Sequence, residues 1–461
     1  MNVGKVILRV LRVFGIIILI PVVLVLLALL IGFITDLSVT PQWRQAQQES
    51  LEYITKLKNH RYQSAALAFV TRDGNAWDYY QRASQLVDSL PSRDKNAIGE
   101  MYRAGGSFTQ SEVERLVTTY ARALALWDSG ASCQYCAIPA EYEKGQEMPI
   151  LKFIPLHYLA KLAVLKGRLE LAKENSQGAA ETYARVVKLG ADISGGEEIL
   201  ITWMVGSVIR DIGVQQMASD LSRFDLASTK FLREAVGQIE GRWPSLDSSL
   251  EAESRIFIIP LAKGWDESRT ASLLGEAHPN FSSNLLGRLF LSLWSWRSQF
   301  SFRKGLLEAV RRQRGFLSAY RAVQDKPWSG IAPLLQQTEG EIERERSSFG
   351  FSTSAVLIPP HIFQRDFASR SIMRVLKAAL AVRESRLSQK RNLEPLDSLL
   401  TRDPAVFDLV TGQPMRYKIA PDGETVRLYS VGLNLRDDGG EGLKMLWSKD
   451  EVKDDIWIEV P

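Results

Sequence analysis

The sequence predicts a mainly α-helical fold: an N-terminal transmembrane helix, a helical body, and a small C-terminal antiparallel β unit preceded by a long helix. Three observations predict it. Residues 13–34, VFGIIILIPVVLVLLALLIGFI, form an apolar run without a charge. Apolar residues then recur at spacings of three and four through most of the chain to about residue 390. After that the pattern changes to short alternating segments divided by Gly, Pro and Asp.

The apolar run is long enough to span. About 22 residues at roughly 1.5 Å rise give roughly 33 Å of helix, against a hydrocarbon core of ~30 Å. Pro21 is tolerated in such a helix when neighbours re-satisfy the freed carbonyl. A cleaved secretory signal has a shorter apolar region, and GFITDLSVT offers no Ala-x-Ala site. Lys5, Arg9 and Arg12 precede the run, and Asp36 is the first charge after it. The basic flank stays inside. The expected layout is a cytoplasmic tail (1–12), a single-pass anchor (13–34) in the bacterial inner membrane, and an extracytoplasmic body.

Composition excludes little beyond nucleic acid. Net charge is +4 over 461 residues, with 24% charged and 45% hydrophobic, ordinary for a globular chain. The basic clusters Arg311-Arg312-Gln313-Arg314 and Arg383–Arg391 are interleaved with Glu or apolar residues, so they read as wet helix faces. The two cysteines, Cys133 and Cys136 in SCQYC, suit a local disulfide or free buried thiols. A redox pair would need a preceding strand and a helix beginning at the pair, and zinc would need two more ligands.

The body (35–325) reads as successive helices. PQWRQAQQESLEYITKLKNH places Trp43, Leu51, Ile54 and Leu57 on one face. After a turn at Asp73-Gly74, Trp77, Tyr80, Ala83 and Val87 form one stripe, which Pro91 ends. Ser111-x-x-Glu114 caps a helix that Gly130 closes. A helical hairpin over 157–190 follows, with Ala160, Ala163 and Gly167 where a second helix can approach, and Ala180, Tyr183 and Val187 facing them. Its length resembles one tetratricopeptide-type repeat of ~34 residues. Further helices occupy about 197–241, up to Trp243-Pro244, and 285–320, which carries Trp294, Trp296, Phe300 and Phe302. Residues 326–360, with Pro327, Pro333 and Pro359-Pro360, read as an irregular connection.

The final unit (361–461) begins with a long amphipathic helix bearing Phe367, Ile372, Val375, Leu376, Ala379 and Val382. Turns at Thr411–Pro414 and Asp422-Gly423 then separate the strands MRYKIA, TVRLYSVG and DIWIEV. Asp408, Gly412, Pro414, Tyr417, Tyr429, Ser430, Gly432, Asp437, Asp438, Gly439 and Gly440 follow a D-P-x-x-G-x-P-x-x-Y run and a Y-S-x-G…D-D-G-G loop. This unit resembles the globular domain of type II secretion major pseudopilins, over about the last fifth of the chain. The resemblance implies a calcium site at Asp437 and Asp438, with nearby carbonyls as further oxygen ligands. It does not extend to filament assembly, because the chain lacks the Gly-Phe leader junction and the Glu within the apolar helix. The Cys136–Gly145 stretch, LHYLAKLAVLKGRLEL, Gly190 and ILITWMVGSVI are similar to a set of uncharacterised bacterial single-pass proteins of this same layout, which implies architecture only.

No motif marks an enzyme: there is no G-x-S-x-G, H-E-x-x-H, P-loop or G-x-G-x-x-G after a strand. Glu341, Glu343 and Glu345 read as a solvated helix, and His157 as a packed or capping residue. No catalytic residue and no cofactor other than calcium is expected. The expected function is a membrane-anchored scaffold for other envelope proteins. The alternatives are a component of type II secretion or pilus-like machinery, and an envelope hydrolase whose site leaves no local signature.

Overall fold

The computed structural model describes residues 40–102, 109–142, 144, 148, 152–256, 304–305, 307–308, 310–348, 361–388, 396–403, 406–421, 424–440 and 455–461. The apolar run 13–34, the aromatic stretch 294–302, Pro359-Pro360 and the Asp422-Gly423 turn lie outside the described residues. Among the described residues, no helix is long and apolar enough to cross a membrane.

The architecture is mainly helical, with two three-stranded sheets. Helix α1 (residues 40–58) buries Trp43, Ile54 and Leu57, but Leu51 is 63% exposed and leaves the expected face. Strands β1 (Tyr62–Gln63) and β2 (Arg72–Asn75) follow, so the expected Asp73-Gly74 turn is strand. Asn75 then caps α2 (Ala76–Asp88), its side chain accepting from the Trp77 N–H. Trp77, Tyr80, Ala83 and Val87 are all buried, as the stripe requires.

Helix α3 (Ser92–Tyr102) leads to two helices where one is expected, α4 (Gln110–Thr119) and α5 (Ala121–Ala131). The break is at Tyr120, with φ −105° and ψ 22°, and Asp94 on α3 holds the Tyr120 hydroxyl. The capping box is two residues earlier than Ser111–Glu114: Thr109 and Glu112 exchange the two bonds. Gly130 is no cap. It lies inside α5, where a Cβ would strike the Tyr80 ring.

The cysteine loop is in fact strand β3 (Cys133–Cys136), the centre of a sheet in the order β1-β3-β2. It pairs antiparallel with β1 and parallel with β2. The hairpin follows as α6 (Phe153–Ala172) and α7 (Ser176–Gly196). Ala160, Ala163 and Gly167 are buried, and Gly167 meets the Tyr183 ring of α7. Helix α8 (Leu200–Ser219) packs closely on α7. A Cβ at Gly190 or Gly206 would collide with the other residue's carbonyl, so the two backbones pass almost in contact. Helices α9 (Leu226–Glu240) and α10 (Leu246–Ile256) complete this block.

Residues 310–321 form α11, and α12 (Trp328–Ser348) corrects the expected irregular connection. Pro333 lies near the N-terminal end of α12, where its missing N–H forfeits one bond to the first turn. Trp328 anchors this helix on Phe367 (5.1 Å between ring centroids) and donates to the Leu433 carbonyl (3.0 Å).

Helix α13 (His361–Ser388) is the expected long helix and buries all six expected residues, but it also buries Asp366, Ser369, Ser371 and Ala378, so it is enclosed on most sides rather than amphipathic. The short α14 (Leu396–Arg402) precedes β4 (Arg416–Ile419), β5 (Val426–Ser430) and β6 (Ile456–Val460), an antiparallel meander. Gly412 makes its turn with φ +71°. This unit is not a separate lobe. Helix α13 packs on α8 and α9 as well as on β5 and β6, and one buried cluster runs from Ala65 to Val460. Glu240 of α9 takes both Arg374 (2.5 Å) and Lys377 (2.9 Å) of α13.

Candidate functional site

Where β1 and β3 part, a cleft of about 680 Å³ opens. The last paired residues are Tyr62 and Cys136. Beyond them each strand bonds elsewhere. The Asn75 side chain takes both the N–H and the carbonyl of Ala137, each at 2.9 Å. The Ile138 N–H goes to the Gly195–Gly196 end of α7, bonding Gly196 O at 2.9 Å. On the other side, His60 Nε2 lies 2.9 Å from Gly195 O. The cleft is thus held open by side-chain and helix-end bonds that replace a β ladder. Lys58, His60, Arg61, Asn75, Asp78 and Tyr142 supply its polar lining.

The second nitrogen of His60, Nδ1, is 3.4 Å from Glu198 Oε1. Both ring nitrogens face oxygen acceptors, which leaves no nitrogen lone pair turned to the cleft for base work. Beside Glu198, Glu197 is 3% exposed. Burial, and then Glu253, push its carboxyl up to about 8. Burial also raises Glu253, against the opposing bond from the Leu200 N–H. Burial and the neighbouring Glu197 and Glu198 drive the Tyr142 phenol far up. Near neutral pH, Glu197 and Tyr142 are therefore uncharged hydrogen-bonding groups. Of the two, Tyr142 lines the cleft, and Glu197 is buried outside its lining.

Cys133 and Cys136 are both free and buried, and burial raises both thiols. An extended strand sets residues three apart at about 10 Å between Cα atoms, beyond the ~7 Å a disulfide bridges. Of the two expected states, a local disulfide or free buried thiols, the second is found, and no helix starts at the pair.

The Asp437–Gly440 loop departs from the calcium expectation. Asp437 is paired with Arg416 and accepts the Gly439 N–H (2.9 Å). Asp438 faces Asn434 Nδ2 at 3.4 Å. The loop is instead organised by Asp455, fully buried, which accepts the N–H groups of Gly432 (3.0 Å) and Gly440 (2.8 Å). A guanidinium on Asp437 competes with a cation there, so the two carboxylates as placed do not fit a calcium ion. No cluster of three metal-ligating residues occurs among the described residues. Burial brings His157 down to about 4, so it is a neutral, packed histidine. Glu341 is exposed on α12, bonded to Gln337 (3.0 Å).

The sequence reading missed the buried polar networks. Asp192, wholly buried, accepts from Ser64 Oγ (2.6 Å), Tyr80 Oη (2.8 Å) and Lys188 Nζ (2.6 Å), tying the β1 segment and α2 to α7. Arg210 on α8 stacks on Trp243 (4.1 Å) and pairs with Asp211, which also accepts from Ser369 of α13. A Lys/Asp pair four apart in an otherwise small and apolar stretch, VVKLGADISGG, is the signal that marks the first. Glu197 left none, because its burial depends on α10.

Comparison with protein-family models, curated proteins and solved structures gives no match to this chain.

Proposed function

We propose that this chain is a scaffold of the bacterial envelope, tethered to the inner membrane by residues 13–34, which holds another envelope protein against its extracytoplasmic helical body. The observation that carries this reading is the cleft beside His60. It is polar and open, yet its histidine is committed to Gly195 and Glu198. Such a surface suits recognition of backbone and polar side chains better than bond cleavage. The packing of the body supports the reading too, since one buried cluster joins residues from Ala65 to Val460.

The test is affinity purification of the full chain from crosslinked membranes, beside an Arg61→Glu, Asp78→Lys variant. A stoichiometric partner that the variant loses supports the reading. No stoichiometric partner under several conditions, or hydrolysis of an envelope substrate that His60→Ala abolishes, counts against it.

A second reading, association with secretion or pilus-like machinery, draws on the α13–β4-β5-β6 unit. Exposed Ile419 on edge strand β4 (57%) is the residue to change. Secretion unaffected by Ile419→Glu removes that support.

A further inference from the structure

Helix α11 runs beside α1 in the same direction. Arg311 Nη2 donates to Gln42 Oε1 (3.3 Å), and further along both helices Arg314 Nη2 donates to Glu49 Oε2 (2.9 Å). Residue 40, already helical, follows the end of the apolar run at 34 by only six positions in the sequence. A chain that short reaches at most ~20 Å, so a spanning run keeps this end of the body close to the bilayer.

Among the described residues the charges gathered at that end are basic, while Asp36 in the preceding sequence is acidic. Arg44 is exposed and is the only charge in residues 40–48. Arg311 is exposed, and the bond it makes to Gln42 is to a neutral group. Lys304 is exposed and helical, and at 1.5 Å per residue it lies roughly 10 Å beyond Arg311 toward the same end. The nearby carboxylates are occupied: Glu308 by Arg312 (2.8 Å) and Glu49 by Arg314.

We infer that this end of the body lies on the membrane surface and contacts anionic lipid headgroups through Arg44, Lys304 and Arg311. Length of linker and sign of charge both select that occupant. Basic residues beside an anionic leaflet attract it over a Debye length, about 10 Å at 0.1 M salt. The contact would orient the body on its tether, with the far end of α1 and the cleft turned away from the lipid. It rests on the tether reading.

The experiment uses the full chain in nanodiscs, with a fluorophore at Gln45→Cys or at Asn59→Cys, about 20 Å farther along α1. The native thiols are buried and label poorly. The quencher is carried on lipid headgroups, in discs with or without phosphatidylglycerol. Quenching at Gln45→Cys should exceed that at Asn59→Cys at least threefold in anionic discs. The excess should fall toward one in 0.5 M salt, in zwitterionic discs, and in the Arg44→Gln, Lys304→Gln, Arg311→Gln variant. Equal quenching at both positions, or an excess insensitive to salt, lipid and the triple variant, overturns the headgroup contact alone. A chain that does not enter the discs overturns the tether, and the contact with it.

Discussion

Two buried carboxylates at one end of α7 show opposite solutions to the same problem. Asp192 has no exposed surface and is met by a lysine, a tyrosine and a serine, each within 2.8 Å. Glu197, just past the helix end, is almost as deeply buried, but the charge that acts on it is another carboxylate, Glu253. The first is surrounded by hydrogen-bond donors and a lysine. The second sheds its charge by holding a proton. One is a clamp between sheet, α2 and α7. The other is buried beside Glu253 and outside the lining of the cleft.

The contrast predicts first a pH dependence. Glu197 binds its proton more tightly folded (about 8) than unfolded (4.5), so stability falls as pH rises from about 4.5 through 8 and then levels. At 1.36 kcal/mol per unit the loss is roughly 4–5 kcal/mol. Urea unfolding of Glu197→Gln against the parent at pH 5, 7 and 9 should show the variant losing that slope. Equal slopes in the two proteins would mean Glu197 is charged and solvated.

Removing the partner carboxylate is the next largest change. Asp192→Ala strands the Lys188 ammonium in the core and should cost roughly 3–5 kcal/mol. The pair Lys188→Met with Asp192→Leu should recover most of it, measured by the same unfolding curves. If the double variant is as weak as the single, cohesion depends on the Ser64 and Tyr80 bonds rather than on the charge pair.

Gly206→Ala probes the backbone between the two carboxylates, since its Cβ would strike Ser194 and the Gly190 carbonyl. Forcing α8 off α7 should cost roughly 1–3 kcal/mol and shift the Glu197 titration as well. The smallest effect is expected at a third buried carboxylate, Asp455, whose two backbone N–H bonds already close the Asp437–Gly440 loop. Millimolar calcium should leave the melting temperature unchanged. A rise that Asp437→Asn abolishes would restore the calcium site.

Periodicity alone made the helical stripes legible. Trp77, Tyr80, Ala83 and Val87 on α2, and the six core residues of α13, are buried as their spacing demands. The meander was legible from alternation and turns. Features that depend on distant partners were not. SCQYC lacks strand alternation and becomes β3 only because β1 and β2 flank it. Pro333 suggested a break, but α12 runs on through it and forfeits the bond to its first turn. Asp437 and Asp438 looked like ligands until Arg416, twenty-one residues away, came to face one of them. The cleft was invisible because it is made where two strands separate, and the groups that part them come from α2 and α7.

Photo-crosslinking in intact membranes compares the cleft with a second surface groove most directly. A crosslinking amino acid at Asp78, in the cleft, is set against one at Ser222, beside the groove along β6. A scaffold that works through its cleft gives one defined adduct at Asp78, lost in Arg61→Glu, and none of that mass at Ser222. The same adducts at both positions, or no adduct at Asp78, would contradict it.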